Sequence, residues 1–274
     1  MKFTLARALL AVFVLGACGP SPPDGPASST ETTGSAPTST TTPTTTMPMP
    51  DMGTEDSICP SLPPLTAGDC VPVAVCPETT VFTGDVVIAK AEDFAALACV
   101  HEIRGDLDVF GLEIENLTRL ERLERVRGSI RITTNPGLTD LSGLCSLAAV
   151  DTRMDGTGGD FEVDGNPTLN DLIGLTRLER VAGKLSIRNN PGLVSMRGLS
   201  SLKSVGVDLK VWGNPALESL RGLDLLAAGP AITVYGNGSI VDLCGLHGLT
   251  VVDSLDVVGN SGLQTLWGAH HLER

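Results

Sequence analysis

Leu185-Ser-Ile-Arg-Asn-Asn190-Pro-Gly-Leu193 is the stretch on which the reading of this chain turns. It returns as Leu209-Lys-Val-Trp-Gly-Asn214-Pro-Ala-Leu217 and as Ile232-Thr-Val-Tyr-Gly-Asn237-Gly-Ser-Ile240. Earlier copies begin at Ile130, with Asn135, and at Phe161, with Asn166; a later one begins at Leu255, with Asn260. Weaker copies start near Val86 and Leu107, the second with Leu112 in the Asn position. From Leu107 the copies advance by 23, 31, 24, 24, 23 and 23 residues. A fixed period of this size is the signature of a repeat architecture.

The full unit reads L-x-[IV]-x-x-N-[PGS]-x-L-x-x-L-x-G-L-x-x-L-x-x-V. Its first part alternates apolar and polar residues, as a short strand with one buried face does. Gly-Asn or Asn-Pro then turns the chain, and the later Leu residues point inward at a three-residue step. Each unit leaves an apolar edge that only a neighbouring unit covers, so the units stack. The expected fold is mainly β: a right-handed parallel β-helix or leucine-rich-repeat-like solenoid of about eight coils. A parallel sheet runs along one face at roughly 4.8 Å per coil. The Asn at constant offset (Asn135, Asn166, Asn190, Asn214, Asn237, Asn260) predicts a buried ladder that caps backbone groups at the turn.

The Gly-Asn-Pro-x-Leu phrase followed by Leu-x-Gly-Leu resembles the receptor L domain, the leucine-rich module of insulin and epidermal growth factor receptor ectodomains. The resemblance covers about Gly105 to Arg274 and extends to a Cys-rich lead-in from Cys59. It implies an extracellular binding or architectural module without catalysis. No part of the chain resembles the receptors' kinase or membrane-spanning parts, so signalling does not carry over.

Composition bounds the function. The 274 residues hold 19 basic and 32 acidic side chains, 42% hydrophobic residues and only 3% aromatic ones. A net charge of −13 argues against nucleic acid, whose phosphates call for a basic stripe. No apolar run reaches the roughly 20 residues that span a bilayer. The core is therefore expected to be aliphatic.

The chain opens with an export address over 1–17. Lys2 and Arg7 precede a short apolar stretch from Ala8 to Gly16, and Leu15-Gly16-Ala17-Cys18 resembles the lipobox of bacterial lipoproteins. That resemblance implies lipid on Cys18 after cleavage. Gly19 in place of Asp implies outer-membrane retention in the cell envelope. Loss of 1–17 deepens the net charge from −13 to −15. Residues 18–57 are rich in Ser, Thr and Pro, with five acids and no base. Such a segment buries too little apolar surface to offset its ordering entropy and reads as a disordered tether. Its fully extended reach is about 130 Å.

Residues 58–104 read as a Cys-rich N-terminal cap with the first coil, and 105–274 as the repeats. Setting Cys18 aside, six cysteines remain in an exported domain, which suggests disulfides. Cys59, Cys70, Cys76 and Cys99 cluster before the repeats and predict two bridges, with three connectivities open. Cys145 and Cys244 lie about four coils apart, roughly 19 Å along the axis, so no bridge joins them. The chain ends at Leu272-Glu-Arg inside its last coil, which predicts an open apolar end that either a partner covers or a short gene model explains.

Period-two alternation sends two columns of side chains outward. One runs Asp108, Arg131, Glu162, Ser186, Lys210, Thr233, Asp256; the other runs Phe110, Thr133, Asp164, Arg188, Trp212, Tyr235, Val258. The only Tyr and one of two Trp thus sit side by side, flanked by Arg188 and Lys210. Aromatic and Arg side chains favour partner anchoring, and flat rings suit sugar faces. With Arg188 and Lys210 the patch is expected to carry a local positive field. Glu162 and Asp164 share one face at about 6.6 Å along the strand, a spacing open to glycoside hydrolysis. Arg131 and Arg188 on the neighbouring rungs are expected to pair them instead.

Other motifs dissolve into the repeat. Asp151 to Glu162, the insertion inside the 31-residue interval, matches a calcium loop at four positions, but Arg153 occupies the third ligand position. Arg104-Gly105-Asp106 spells an integrin tripeptide, yet Gly84-Asp85 and Gly159-Asp160 occupy the same place before a strand. His101, His247 and the His270-His271 pair lack companions for a metal. No cofactor motif is present. The first reading is a lipid-anchored envelope protein displaying a non-catalytic solenoid for a protein or glycan ligand. The second is an architectural protein without a specific ligand, and the third a carbohydrate-active β-helix enzyme.

Overall fold

The computed structural model describes Cys76, residues 80–269 and Leu272. The expected signal peptide, Cys18 and its tether, Cys59, Cys70 and His270-His271 lie outside these residues.

The chain winds as a mainly β, parallel solenoid of about eight coils. The alternating stretches form one eight-stranded parallel sheet. Its strands are β2 (Val86–Ile88), β4 (Leu107–Phe110), β6 (Ile130–Thr133), β8 (Phe161–Asp164), β10 (Leu185–Arg188), β12 (Asp208–Trp212), β13 (Ala228–Tyr235) and β14 (Val251–Val258), paired in chain order. The structure adds a second parallel sheet that the sequence pattern does not announce. It joins β1 (Thr80–Thr83), β3 (Val100–Arg104), β5 (Arg125–Arg127), β7 (Ala149–Asp151), β9 (Arg180–Val181) and β11 (Ser204–Val205). From β5 onward these segments are the Leu-x-x-Val ends of the units. Several pair over only two or three residues, too few for alternation to show. The short sheet ends at β11, and in the last two coils β13 and β14 each run unbroken for eight residues within the long sheet.

The inward positions of one unit show why stacking is obligatory. Leu185, Ile187, Leu193, Met196, Leu199 and Leu202 are each at most 1% exposed. A single coil has no second layer to cover them, so neighbouring coils supply it. The buried side chains form one continuous aliphatic core, in which Phe161 is the bulkiest fully buried member.

The glycine of Leu-x-Gly-Leu has a steric cause. A Cβ on Gly198 would lie 1.9 Å from the carbonyl oxygen of Leu172 in the preceding coil, and one on Gly143 would lie 1.7 Å from that of Leu117. The same clash, with the equivalent carbonyl, recurs at Gly174, Gly222, Gly245 and Gly268. A column of glycines therefore lets successive coils approach to backbone contact.

Asparagine locks the opposite turn. Asn135, Asn166, Asn190, Asn214 and Asn237 are wholly buried, and Asn260 in the last coil is half-buried. From Asn166 onward each Oδ1 accepts from the Asn of the coil before. Asn135 donates to Asn166 Oδ1 through both its backbone N and its Nδ2, each at 3.0 Å. Each Nδ2 in turn donates to a strand carbonyl of the preceding coil, as Asn190 does to Val163 at 3.0 Å. Leu112 ends the ladder, its backbone N donating to Asn135 Oδ1 at 3.1 Å. A buried amide is tolerated only when its donors and acceptors are matched, and here the repeat matches them.

A Cys76–Cys99 disulfide ties the N-terminal end, with Cα atoms 5.6 Å apart. Cys145 and Cys244 are buried and disulfide-bonded as well. Four rungs separate the strands that precede them, β6 and β13, so they are not each other's partners.

Candidate binding face

The outward face of the long sheet is built by register. Glu162, Ser186, Lys210 and Thr233 pair in sequence across β8, β10, β12 and β13, and Asp164, Arg188, Trp212 and Tyr235 do so beside them. Strand alternation buries Leu209 and Val211 completely and turns Lys210 and Trp212 out. Tyr235 is 50% exposed. Asp160, Glu162, Lys184, Arg188, Trp212 and Tyr235 are among the residues that line an open cleft of about 450 Å³.

Arg188 organises the cleft. Its guanidinium stacks on the Trp212 ring, 5.6 Å from the centroid. Its Nη2 also bridges Glu162 at 2.5 Å and Asp164 at 3.1 Å. One cation thus fixes one ring face and spans two carboxylates, which gives the patch a defined shape. The expected positive field is largely cancelled by pairing. Arg188 is paired to two acids, and Lys210 lies 3.5 Å from Asp208. Lys184 is the lining cation with no ion-pair partner among the described residues, and the sequence reading passed over it. It occupies the slot before the strand that holds Asp85, Asp106 or Asp160 in other coils. The signal was there as an exception to that column.

The carboxylates of Glu162 and Asp164 are both engaged by Arg188. Arg131, also expected to pair them, instead contacts Asp108 at 2.9 Å and Asp106 at 3.3 Å. Neither Glu162 nor Asp164 stands as a free acid poised against a second free base, the arrangement hydrolysis uses.

The insertion is a turn rather than a cage. Asp155 Oδ1 accepts from the backbone N and the hydroxyl of Thr157, at 2.9 and 2.6 Å. Those bonds hold its carboxyl below the ordinary range. Asp151 is taken by Arg180 at 2.6 Å, and Glu162 by Arg188. No group of three or more His, Cys, Asp or Glu that would hold a metal occurs among the described residues. The Arg104-Gly105-Asp106 tripeptide is consumed internally. Arg104 binds Glu102, while Asp106 accepts the Ser129 N–H and contacts Arg131 and Arg153. Burial pushes the Asp106 carboxyl up, and these three donors outweigh it and hold it low. His247 sits 3.4 Å from Asp224.

No protein-family model, curated protein or solved structure matches the chain.

Proposed function

We propose that the solenoid is a non-catalytic binding module whose outward long-sheet face takes a glycan or protein ligand, with a glycan bearing acidic groups fitting best. The carrying observation is the pair of aromatic rings, Trp212 and Tyr235, on adjacent rungs of an exposed cleft in which Lys184 has no ion-pair partner among the described residues. Rungs repeat at about 4.8 Å, so two rings in one column offer successive stacking platforms along the solenoid axis. Lys184 supplies a counter-charge for a carboxylate or sulfate on the ligand. The saturation of Glu162 and Asp164 by Arg188 favours binding over hydrolysis.

The likeness of the repeat phrase to receptor L domains supports the same reading, as an extracellular display module. The lipobox-like Leu15-Gly16-Ala17-Cys18 supports lipid anchoring in the cell envelope, on the outer membrane, with 18–57 as the spacer. Two experiments test this. A screen of the mature chain against neutral and acidic glycans and envelope proteins should return acidic glycans first; no saturable ligand of either kind would favour the architectural reading. Radiolabelled fatty acid should enter the wild-type protein and not Cys18→Ser.

A further inference from the structure

We infer that the insertion and the short sheet together form a second binding site, separate from the Trp212–Tyr235 face, for a phosphate- or sulfate-type oxyanion. The site begins with an electrostatic anomaly. Arg104 ends β3 and Arg127 ends β5, on neighbouring rungs of one outward column. Like charges opposite each other repel. Here one carboxylate holds both: Glu102 Oε1 accepts from Arg104 Nε at 2.8 Å and from Arg127 Nε at 2.9 Å. Glu102 is only 9% exposed, so it is a fixed support beneath the pair. Because both arginines bind it through Nε, their Nη groups keep no protein partner among the described residues.

The insertion supplies the third wall. Arg153 reaches back to Asp85 at 2.6 Å and Asp106 at 2.9 Å, which pins the loop against the earlier coils. The result is a cleft of about 620 Å³ lined by Thr83, Arg104, Arg127, Arg153, Met154 and Asp155. It lies where the repeat spacing is broken, and insertions in repeat proteins are the usual carriers of binding loops. Two guanidinium forks side by side suit an anion with three or four oxygens, which can accept from both at once. A carboxylate has only two oxygens and is satisfied by a single fork. Met154 is 96% exposed at the rim, an apolar contact for the organic part of a monoester.

The test uses the full mature chain, titrated calorimetrically with inorganic phosphate, sulfate and methyl phosphate at constant ionic strength set with chloride. One saturable site is expected. Arg104→Gln, Arg127→Gln and Arg104→Lys should each weaken it roughly tenfold or more, since each loses charge-assisted hydrogen bonds. Arg125→Gln, which faces Asp151, and the Trp212→Ala, Tyr235→Ala double variant should bind as wild type. Tighter binding of methyl phosphate than of phosphate assigns a monoester ligand, and equal binding assigns the free anion. A readout without variants keeps the question open to test if a variant misfolds: phosphate should slow phenylglyoxal modification of Arg104 and Arg127 but not of Arg125. Absence of saturable binding, unchanged binding in the glutamine variants, or no protection of those two arginines overturns the assignment.

Discussion

Gly198→Ala is the most direct probe of how the coils are held together. The new Cβ would lie 1.9 Å from the Leu172 carbonyl oxygen and 2.9 Å from the Leu172 Cβ, against ordinary contacts of 3.4–4 Å. Relief requires the two coils to part locally by about 1.5 Å, and the obstacle is backbone, which has no rotamer to escape into. The neighbouring coil-to-coil bonds are already at working length: Val194 N to Asn170 O at 2.9 Å, Lys203 N to Glu179 O at 2.9 Å and Ser201 Oγ to Thr176 O at 2.6 Å. An opening of that size stretches such bonds past the hydrogen-bond range. The expected cost is about 3 kcal/mol or more, from overpacking and from weakened buried bonds. For a domain of this size that lowers the melting temperature by about 6–12 °C, read by circular dichroism or calorimetry. Ser200→Ala, on the exposed side of the same turn, should stay within about 0.5 kcal/mol of wild type. A Gly198→Ala protein that melts with the wild type would refute the steric account of the glycine column.

Asn190→Ala removes donors to Val163 and Arg188 and the acceptor that serves Asn166, all inside the core, and should cost about 3 kcal/mol or more in a denaturant titration. Asn260→Ala, at the half-buried end of the ladder, should cost less. The Glu102 carboxyl is held below its ordinary value of 4.5 by the hydrogen bond from Arg104, burial working against it and Arg127 adding to it. A lowered folded-state pKa means that its stabilisation is present above about 4.5 and fades as pH falls through the folded value. The melting-temperature gap between wild type and Glu102→Gln should therefore be widest near neutrality and close in acid. Peptide mapping without reduction should recover Cys76 linked to Cys99 and no Cys145–Cys244 peptide.

The coil count and the strand phase were legible in the sequence because both follow from the apolar period around Leu185, Leu209 and Ile232. Once the phase was known, Trp212 and Tyr235 had to fall in one outward column. The short sheet was not legible. Segments such as Arg180–Val181 and Ser204–Val205 carry one inward residue each, and one residue has no period. The glycine of Leu-x-Gly-Leu was visible as a pattern, but its cause lies in the coil below, which a linear reading does not place. Charge partners were the least legible part. Whether Arg131 turns to Glu162 or to Asp108 depends on rotamers and on which rung competes. The role of Arg153 depends on a loop folding back toward Asp85, 68 residues earlier.

The binding of an acidic glycan by Trp212→Ala, Tyr235→Ala, compared with wild type at matched salt, bears most directly on the central claim. Loss of a central aromatic anchor costs about 2 kcal/mol or more, so the double variant should bind about 30-fold more weakly or worse. Tyr235 is 50% exposed and the Trp212–Arg188 stack contributes only about 1 kcal/mol, so the melting temperature should fall by no more than about 4 °C. A folded double variant that binds the glycan as tightly as wild type would contradict the assignment of this face as the binding site.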